Sequence, residues 1–285
     1  VKYILTPKNF LDVALTLESG QAFRWQRHGD IWTGVVKNKV CRIVQDGLTV
    51  RFTGFTREEF IEYFDLRLDI SEIYENTFST HAEIRHLPQK YNGLRIMHQD
   101  LYECMLSFML ATNTSIPHIK SMIAKLSELC GEKIAGGYYA FPTPERILKS
   151  REKLCTCKLG YRERYIVEIA RRIVDGSIEL EKIKCMDYEH AVSELRGVNG
   201  IGNKVSDCIC LFALKHYEAF PIDRHILDRV CRAYSSDNGF PALLKPCARR
   251  KITPQEYNQI GKFARAKFGH FAGYVQQYIF IDEIK

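Results

Sequence analysis

The residues best suited to covalent chemistry are Lys204, which closes the glycine-rich stretch LRGVNGIGNK at 195–204, and Asp223, the last residue of PID at 221–223. A lysine in the first turn of a helix sits against the positive end of the macrodipole. That placement disfavours the ammonium and favours the neutral amine, which is a nucleophile. The commoner role of a lysine beside a hairpin is a plain phosphate contact. Asp223 follows the turn signal Phe220-Pro221-Ile222 and precedes the apolar residues Ile226, Leu227 and Val230, so the spacing predicts an N-cap. The same spacing fixes a carboxylate downstream of the amine.

The elements that must position these two groups are legible around them. Tyr188, Ala191, Val192 and Leu195 recur at helical spacing, Gly197, Gly200 and Gly202 make a turn, and Val205 to Leu214 is apolar-periodic. The pattern predicts helix, hairpin, helix over about 188–214. Gly200 and Gly202 permit positive φ and close backbone approach, which suits a hairpin presenting free N–H groups to phosphate at a helix N-terminus. The glycines alone suit an ordinary tight turn between core helices equally well.

Net charge sharpens the choice. The chain of 285 residues carries a formal +7. Residues 1–132 hold 15 Lys and Arg against 16 Asp and Glu, whereas residues 133–285 hold 26 against 18. The excess lies in the half containing the hairpin, which favours a polyanion partner. No apolar run of membrane-spanning length and no signal-peptide pattern occurs, so the reading is a soluble, intracellular protein without a membrane partner. The chain opens on Val1, not on a methionine. Of its ten cysteines most sit in apolar periodic runs, as reduced core cysteines do, and no paired C-x-x-C supports a structural zinc.

Residues 1–82 and 83–285 read as two domains. In the first, β-type runs at 22–25, 31–36, 40–45 and 48–52 are separated by turn residues, a helix is predicted around Phe10 to Leu17, and another over 58–64. In the second, helices are predicted over 101–110, 116–129, from Pro144, over 162–174 and over 274–283, with a loop at 235–247 and no strand. The fold class is α+β, an N-terminal antiparallel sheet domain with short helices followed by a mainly helical core.

Together, the hairpin, Lys204 and PID resemble the helix-hairpin-helix DNA glycosylase superfamily, and specifically its bifunctional 8-oxoguanine DNA glycosylase/lyase branch. The resemblance extends over nearly the whole chain through SGQAFRW at 19–25, YFDL at 63–66, RIMHQDLYECMLSFMLATN at 95–113, LGYRERY at 159–165 and AGYVQQYIF at 272–280. It implies a DNA repair enzyme that flips oxidised guanine out of duplex DNA, excises it and nicks the strand, acting as a monomer without metal or cofactor. Related endonucleases carry four cysteines after the hairpin for an iron–sulfur cluster, and too few lie there to hold one. The resemblance also allows a cation on the hairpin carbonyls around Val198 to Ile201.

Residue by residue, the resemblance makes Lys204 the Schiff-base nucleophile and Asp223 the carboxylate that stabilises charge on the sugar. Gly20 would supply a carbonyl to the lesion's N7 hydrogen, Cys208 and Phe280 would sandwich the purine, and Gln276 would read its Watson–Crick edge. Tyr161 matches the wedge, Arg162 the orphan-base contact and Asn113 the residue filling the vacated space. Gly200, Gly202 and His225 match backbone contacts. One position departs from well-known eukaryotic members: where an arginine helps hold the orphaned cytosine, this chain has His118. An imidazole lacks the guanidinium's fork of donors, so opposite-base selectivity is expected to relax. Two other readings stand beside this one. A monofunctional alkylbase glycosylase of the same superfamily would lack Lys204. A non-catalytic hairpin protein would need neither the Lys204 and Asp223 pair nor a purine pocket.

Overall fold

In a computed structural model, described here for residues 2–6, 10–241 and 252–285, five strands precede the helical bulk of the chain. They are β1 (Lys2–Leu5), β2 (Trp25–His28), β3 (Ile31–Val36), β4 (Lys39–Asp46) and β5 (Thr49–Thr53). The sheet is antiparallel throughout, in the order β1-β5-β4-β3-β2. The predicted meander is present, with one strand more. Lys2–Leu5 pairs with β5, Ile4 opposite Arg51, and no turn signal beside it announces that non-local pairing. At the other edge the predicted run 22–25 is displaced: Ala22 and Phe23 are buried in irregular backbone and the strand begins at Trp25.

The fourteen α-helices among the described residues are α1 (Val13–Glu18), α2 (Arg57–Tyr63), α3 (Ile70–Ile73), α4 (Leu87–Lys90), α5 (Leu101–Leu110), α6 (Ile116–Cys130), α7 (Pro144–Lys149), α8 (Glu163–Val174), α9 (Leu180–Lys184), α10 (Tyr188–Arg196), α11 (Asn203–Ala213), α12 (Arg224–Tyr234), α13 (Pro254–Phe268) and α14 (Ala272–Ile284). None is long and apolar enough to cross a membrane. The predicted loop at 235–247 is turn and irregular backbone as far as residue 241, and its remainder lies outside the described residues.

Two apolar clusters organise these elements. The smaller lies against the sheet and α2, where Phe52 and Phe60 stack at 3.9 Å and the Trp25 indole N–H donates to the Tyr63 hydroxyl at 3.0 Å. Thr56 and Glu59 close a capping box that starts α2. The larger cluster spans the helices and also takes in Phe23, Ile70, Ile73 and Phe78 from the N-terminal part. At its centre α5 is buried along nearly its whole length, with Phe108 stacked on Phe212 of α11 at 5.3 Å. Eight of the cysteines are free thiols, most of them buried, whereas Cys231 is disulfide-bonded, an exception to the reduced reading.

Candidate active site between the hairpin and the last helix

The hairpin forms where the glycines place it. Gly200 has φ +91°, and a Cβ there would lie 2.8 Å from the Tyr165 ring of α8, so only glycine fits. Gly202 corrects the expectation of positive φ. It is the extended N-cap of α11, at φ −96°, with open space where a side chain would be and no side-chain cap. What Gly202 provides is an uncapped helix N-terminus. The hairpin is gripped from α8, whose Arg172 donates to the Gly197 carbonyl at 3.1 Å and whose Glu168 accepts from Asn199 at 2.6 Å.

On α11, Lys204 and Cys208 are one turn apart and share a face. The Lys204 Nζ sits 5.1 Å from the centroid of the Phe108 ring, and no carboxylate among the described residues comes within ion-pair distance of it. Burial pushes the Cys208 thiol up to about 11, a rise opposed by the charge and hydrogen bond of Lys204 and supported by the charges of Asp207 and, more weakly, Asp223. Asp223 is the N-cap of α12, its Oδ1 accepting from the Ile226 N–H at 2.9 Å. Capping and an electrostatic role are compatible here, because the N-cap bond is what fixes the carboxylate. His225, two residues on, is exposed, with its ring edge-on to Phe280 at 6.4 Å.

The opposite wall comes from α14. Gly273 lets this helix start against the end of α11, since a Cβ there would meet Leu211 at 2.4 Å and the Ala219 carbonyl at 2.8 Å. Gln276 is buried and its Oε1 has no hydrogen-bond partner, while Phe280 is half-buried. A buried amide oxygen without a partner costs about 1–3 kcal/mol, which a bound donor would recover. Gly20 joins this wall: a Cβ added to it would lie 3.0 Å from Phe280 and 3.8 Å from Ile116. The segment is pinned there by Gln277, which donates to the Ser19 carbonyl at 2.8 Å, and by buried Gln21, which donates to the Arg95 carbonyl and accepts from the Met97 N–H, both at 2.8 Å.

The three remaining predicted residues gather at another edge. Tyr161 is half exposed and its hydroxyl donates to the Thr112 carbonyl at 3.4 Å. Arg162 is turned inward, bonded to the same carbonyl, with its guanidinium 4.6 Å from the Tyr161 ring and its Nε unpartnered. Asn113, next along, is exposed with φ +52°. His118 is exposed on the first turn of α6. Sequence reasoning missed Phe108, Ile116, Gln277 and Tyr165. The available signals were weak, namely a second glutamine beside Gln276 in an otherwise apolar helix and an aromatic four residues after Tyr161.

The chain is similar to known proteins along nearly its whole length. Residues 3–105 match a family model described as the N-terminal domain of 8-oxoguanine DNA glycosylase. The Arabidopsis thaliana N-glycosylase/DNA lyase OGG1 is 25% identical over 96% of this chain and 78% of its own length. The Saccharomyces cerevisiae N-glycosylase/DNA lyase is 28% identical over 97% of this chain and 84% of its own. The apo 8-oxoguanine glycosylase/lyase of Clostridium acetobutylicum superposes with a TM-score of 0.86 at 31% identity, covering 98% of this chain and 95% of that one. The same enzyme with double-stranded DNA carrying cytosine opposite 8-oxoG gives 0.84 at 30% identity, over 98% and 97% of the two chains. With identity of this order sustained from end to end, the chain belongs to the 8-oxoguanine DNA glycosylase family of the helix-hairpin-helix superfamily.

Proposed function

We infer that this protein binds duplex DNA, excises 8-oxoguanine and cleaves the strand at the resulting abasic site, with Lys204 as nucleophile and Asp223 as the electrostatic partner of the sugar. The observation that carries the reading is the pairing of Lys204 with the buried Cys208 thiol on one face of α11, with no carboxylate among the described residues within ion-pair distance of the amine.

Chemistry requires the neutral Lys204 amine to attack the anomeric carbon as the bond to the base nitrogen breaks and its electrons leave with the base, which is then protonated. Positive charge develops on the sugar during this step, and a carboxylate fixed at the N-cap of α12 stabilises it without reorganising. Loss of the ring oxygen's bond to the anomeric carbon gives the iminium. Removal of a C2′ proton then expels the 3′ phosphate by β-elimination.

Selection of the base falls to the other wall. The oxidised purine bears a hydrogen on N7 where guanine has a lone pair, so a carbonyl at Gly20 accepts from the lesion and faces a second acceptor in the normal base. That mismatch costs about 1–3 kcal/mol. Cys208 and Phe280 supply the faces of the slot, Gln276 the edge contact, and the free N–H groups at the start of α11 suit a DNA phosphate. Tyr161, Asn113 and Arg162 take the wedge and orphan-base roles, Arg162 by turning out from the Thr112 carbonyl, and His225 the backbone contact. A single chain provides every group, so the active unit is a monomer, and its eight free thiols among the described residues fit a reducing, intracellular setting, against which the disulfide at Cys231 stands as an exception. Borohydride in the presence of an 8-oxoguanine duplex should trap a covalent adduct. A protein that releases the base without an adduct would instead be monofunctional.

A further inference from the structure

One buried acidic side chain stands outside the chemistry above. Asp207 lies between Lys204 and Cys208 in the sequence of α11 but points to a different side of the helix, and it is 3% exposed. Its Oδ1 accepts from the Tyr188 hydroxyl of α10 and its Oδ2 from the Tyr257 hydroxyl of α13, each at 2.7 Å. The two phenols then diverge. Tyr188 accepts from the Arg265 guanidinium at 3.0 Å and goes no further toward the cleft. Tyr257 accepts from the Ile222 N–H at 3.1 Å, the peptide immediately before Asp223.

We propose that Tyr257 is a positioning residue, which with Asp207 fixes the turn carrying Asp223 relative to the helix carrying Lys204. The assignment rests on the reading of those two residues given above. Asp207 sets the rotation of α11 about its own axis, and hence the face on which Lys204 and Cys208 lie. Pro221 has no N–H, so the Ile222 N–H is the one backbone donor that the two residues before Asp223 offer to tie this turn down. Without that tie the N-cap bond to Ile226 still holds Asp223 on α12, but α12 and its turn are free to shift against α11. An ångström of misplacement between reacting groups costs on the order of a hundredfold in rate. Burial raises the Asp207 carboxyl while the two phenols lower it. Both phenols therefore serve the same anion, and only one of them reaches the catalytic turn.

That asymmetry supplies the test. Tyr257→Phe and Tyr188→Phe each remove one hydroxyl from the same carboxylate, so a merely structural role would affect stability and activity alike in both. Single-turnover excision of 8-oxoguanine, measured across enzyme concentrations with thermal midpoints recorded alongside, is expected to show a tenfold or greater fall in maximal rate for Tyr257→Phe. Its half-saturating concentration should stay unchanged, and Tyr188→Phe should remain within about threefold of wild type. Equal falls in the two variants, or a normal maximal rate for Tyr257→Phe, would overturn the proposal. If Tyr257→Phe does not fold, Asp207→Asn, which keeps the shape of the side chain, is expected to lower the maximal rate three- to tenfold at unchanged half-saturation, and a full rate there overturns it equally. Absence of excision by the wild-type protein would overturn the functional reading and this inference together, which separates the two failures.

Discussion

The cavity of about 290 Å³ where the sheet meets α5 and the end of α11 holds ionisable groups shifted far from their ordinary values, yet the residues proposed for chemistry lie elsewhere, on α11, α12 and α14. In the cavity, burial raises Glu103 to about 7 and lowers His98 to about 4. Each has company there. Arg24 pairs with Glu103 at 3.4 Å, Lys215 pairs with Glu62, and His98 bonds the Glu62 carbonyl at 3.2 Å and approaches the Tyr217 hydroxyl at 3.4 Å. In the cleft, Gln276 Oε1 has no partner, α11 begins without a side-chain cap, and Lys204 rests on an aromatic face. Perturbed titration reports burial, which structural ion pairs produce as readily as active sites do. The difference between the two regions is one of pairing: the cavity's ionisable groups are partnered, whereas Gln276 Oε1 and the start of α11 are not.

The largest expected difference comes from the amine. Lys204→Gln should abolish borohydride trapping and lower strand nicking by roughly a thousandfold or more while duplex binding persists, because only the covalent step is lost. Lys215→Gln in the cavity should leave both within about twofold. Robust trapping by Lys204→Gln would erase the contrast.

Gln276→Leu comes next. It replaces the unpartnered amide with an apolar group of similar size, so the free protein should be as stable as wild type or more so, since a buried unsatisfied group has been removed. Excision should fall by roughly ten- to a hundredfold, matching the loss of one or two polar contacts to the base. A destabilised variant with normal excision would show that the oxygen is satisfied in solution and reads nothing.

At the rim of the cleft, excision against the four opposing bases should favour cytosine, but less sharply than where two arginines grip it. His118→Arg should then raise the preference by roughly tenfold, the worth of one bidentate base contact. An unchanged ratio would mean that Arg162 and Asn113 already suffice.

How far these features could be read in advance depended on their range along the chain. The hairpin, Lys204, the Asp223 cap and the α14 wall are local patterns, and helices such as α5 and α6 follow from periodicity. The N-terminal edge strand was not legible, because its partner lies some fifty residues away and pairing leaves no mark on a four-residue run. The hold on Gly20 was equally hidden, since Gln277 reaches Ser19 across 258 positions. By contrast, α13 was legible and went unread: Thr253-Pro254-Gln255-Glu256 forms a capping box with proline at the first helical position. The inward turn of Arg162 was hidden too, because its acceptor, the Thr112 carbonyl, lies 50 positions away.

The smallest expected effect probes the cavity itself, through stability and not activity. The folded protein holds the Glu103 proton more tightly than the unfolded chain does, with values of about 7 and 4.5. Its contribution to stability is therefore fully present below pH 4.5 and is lost as pH rises through 7. His98 runs the other way. Its folded value of about 4 lies below the unfolded 6.5, so its contribution is present above pH 6.5 and is lost as pH falls toward 4. Across the shared window the two slopes oppose each other. Glu103→Gln removes one of them, so its stability relative to wild type should improve between pH 4.5 and 7.5. The change should be on the order of 1 kcal/mol, discounted for a side chain that is 16% exposed and already paired with Arg24. Denaturant midpoints at the two pH values measure it, and excision at pH 7.5 should remain within about twofold of wild type. A large loss of excision would move Glu103 from the paired cavity into the working machinery and break the contrast between the two regions.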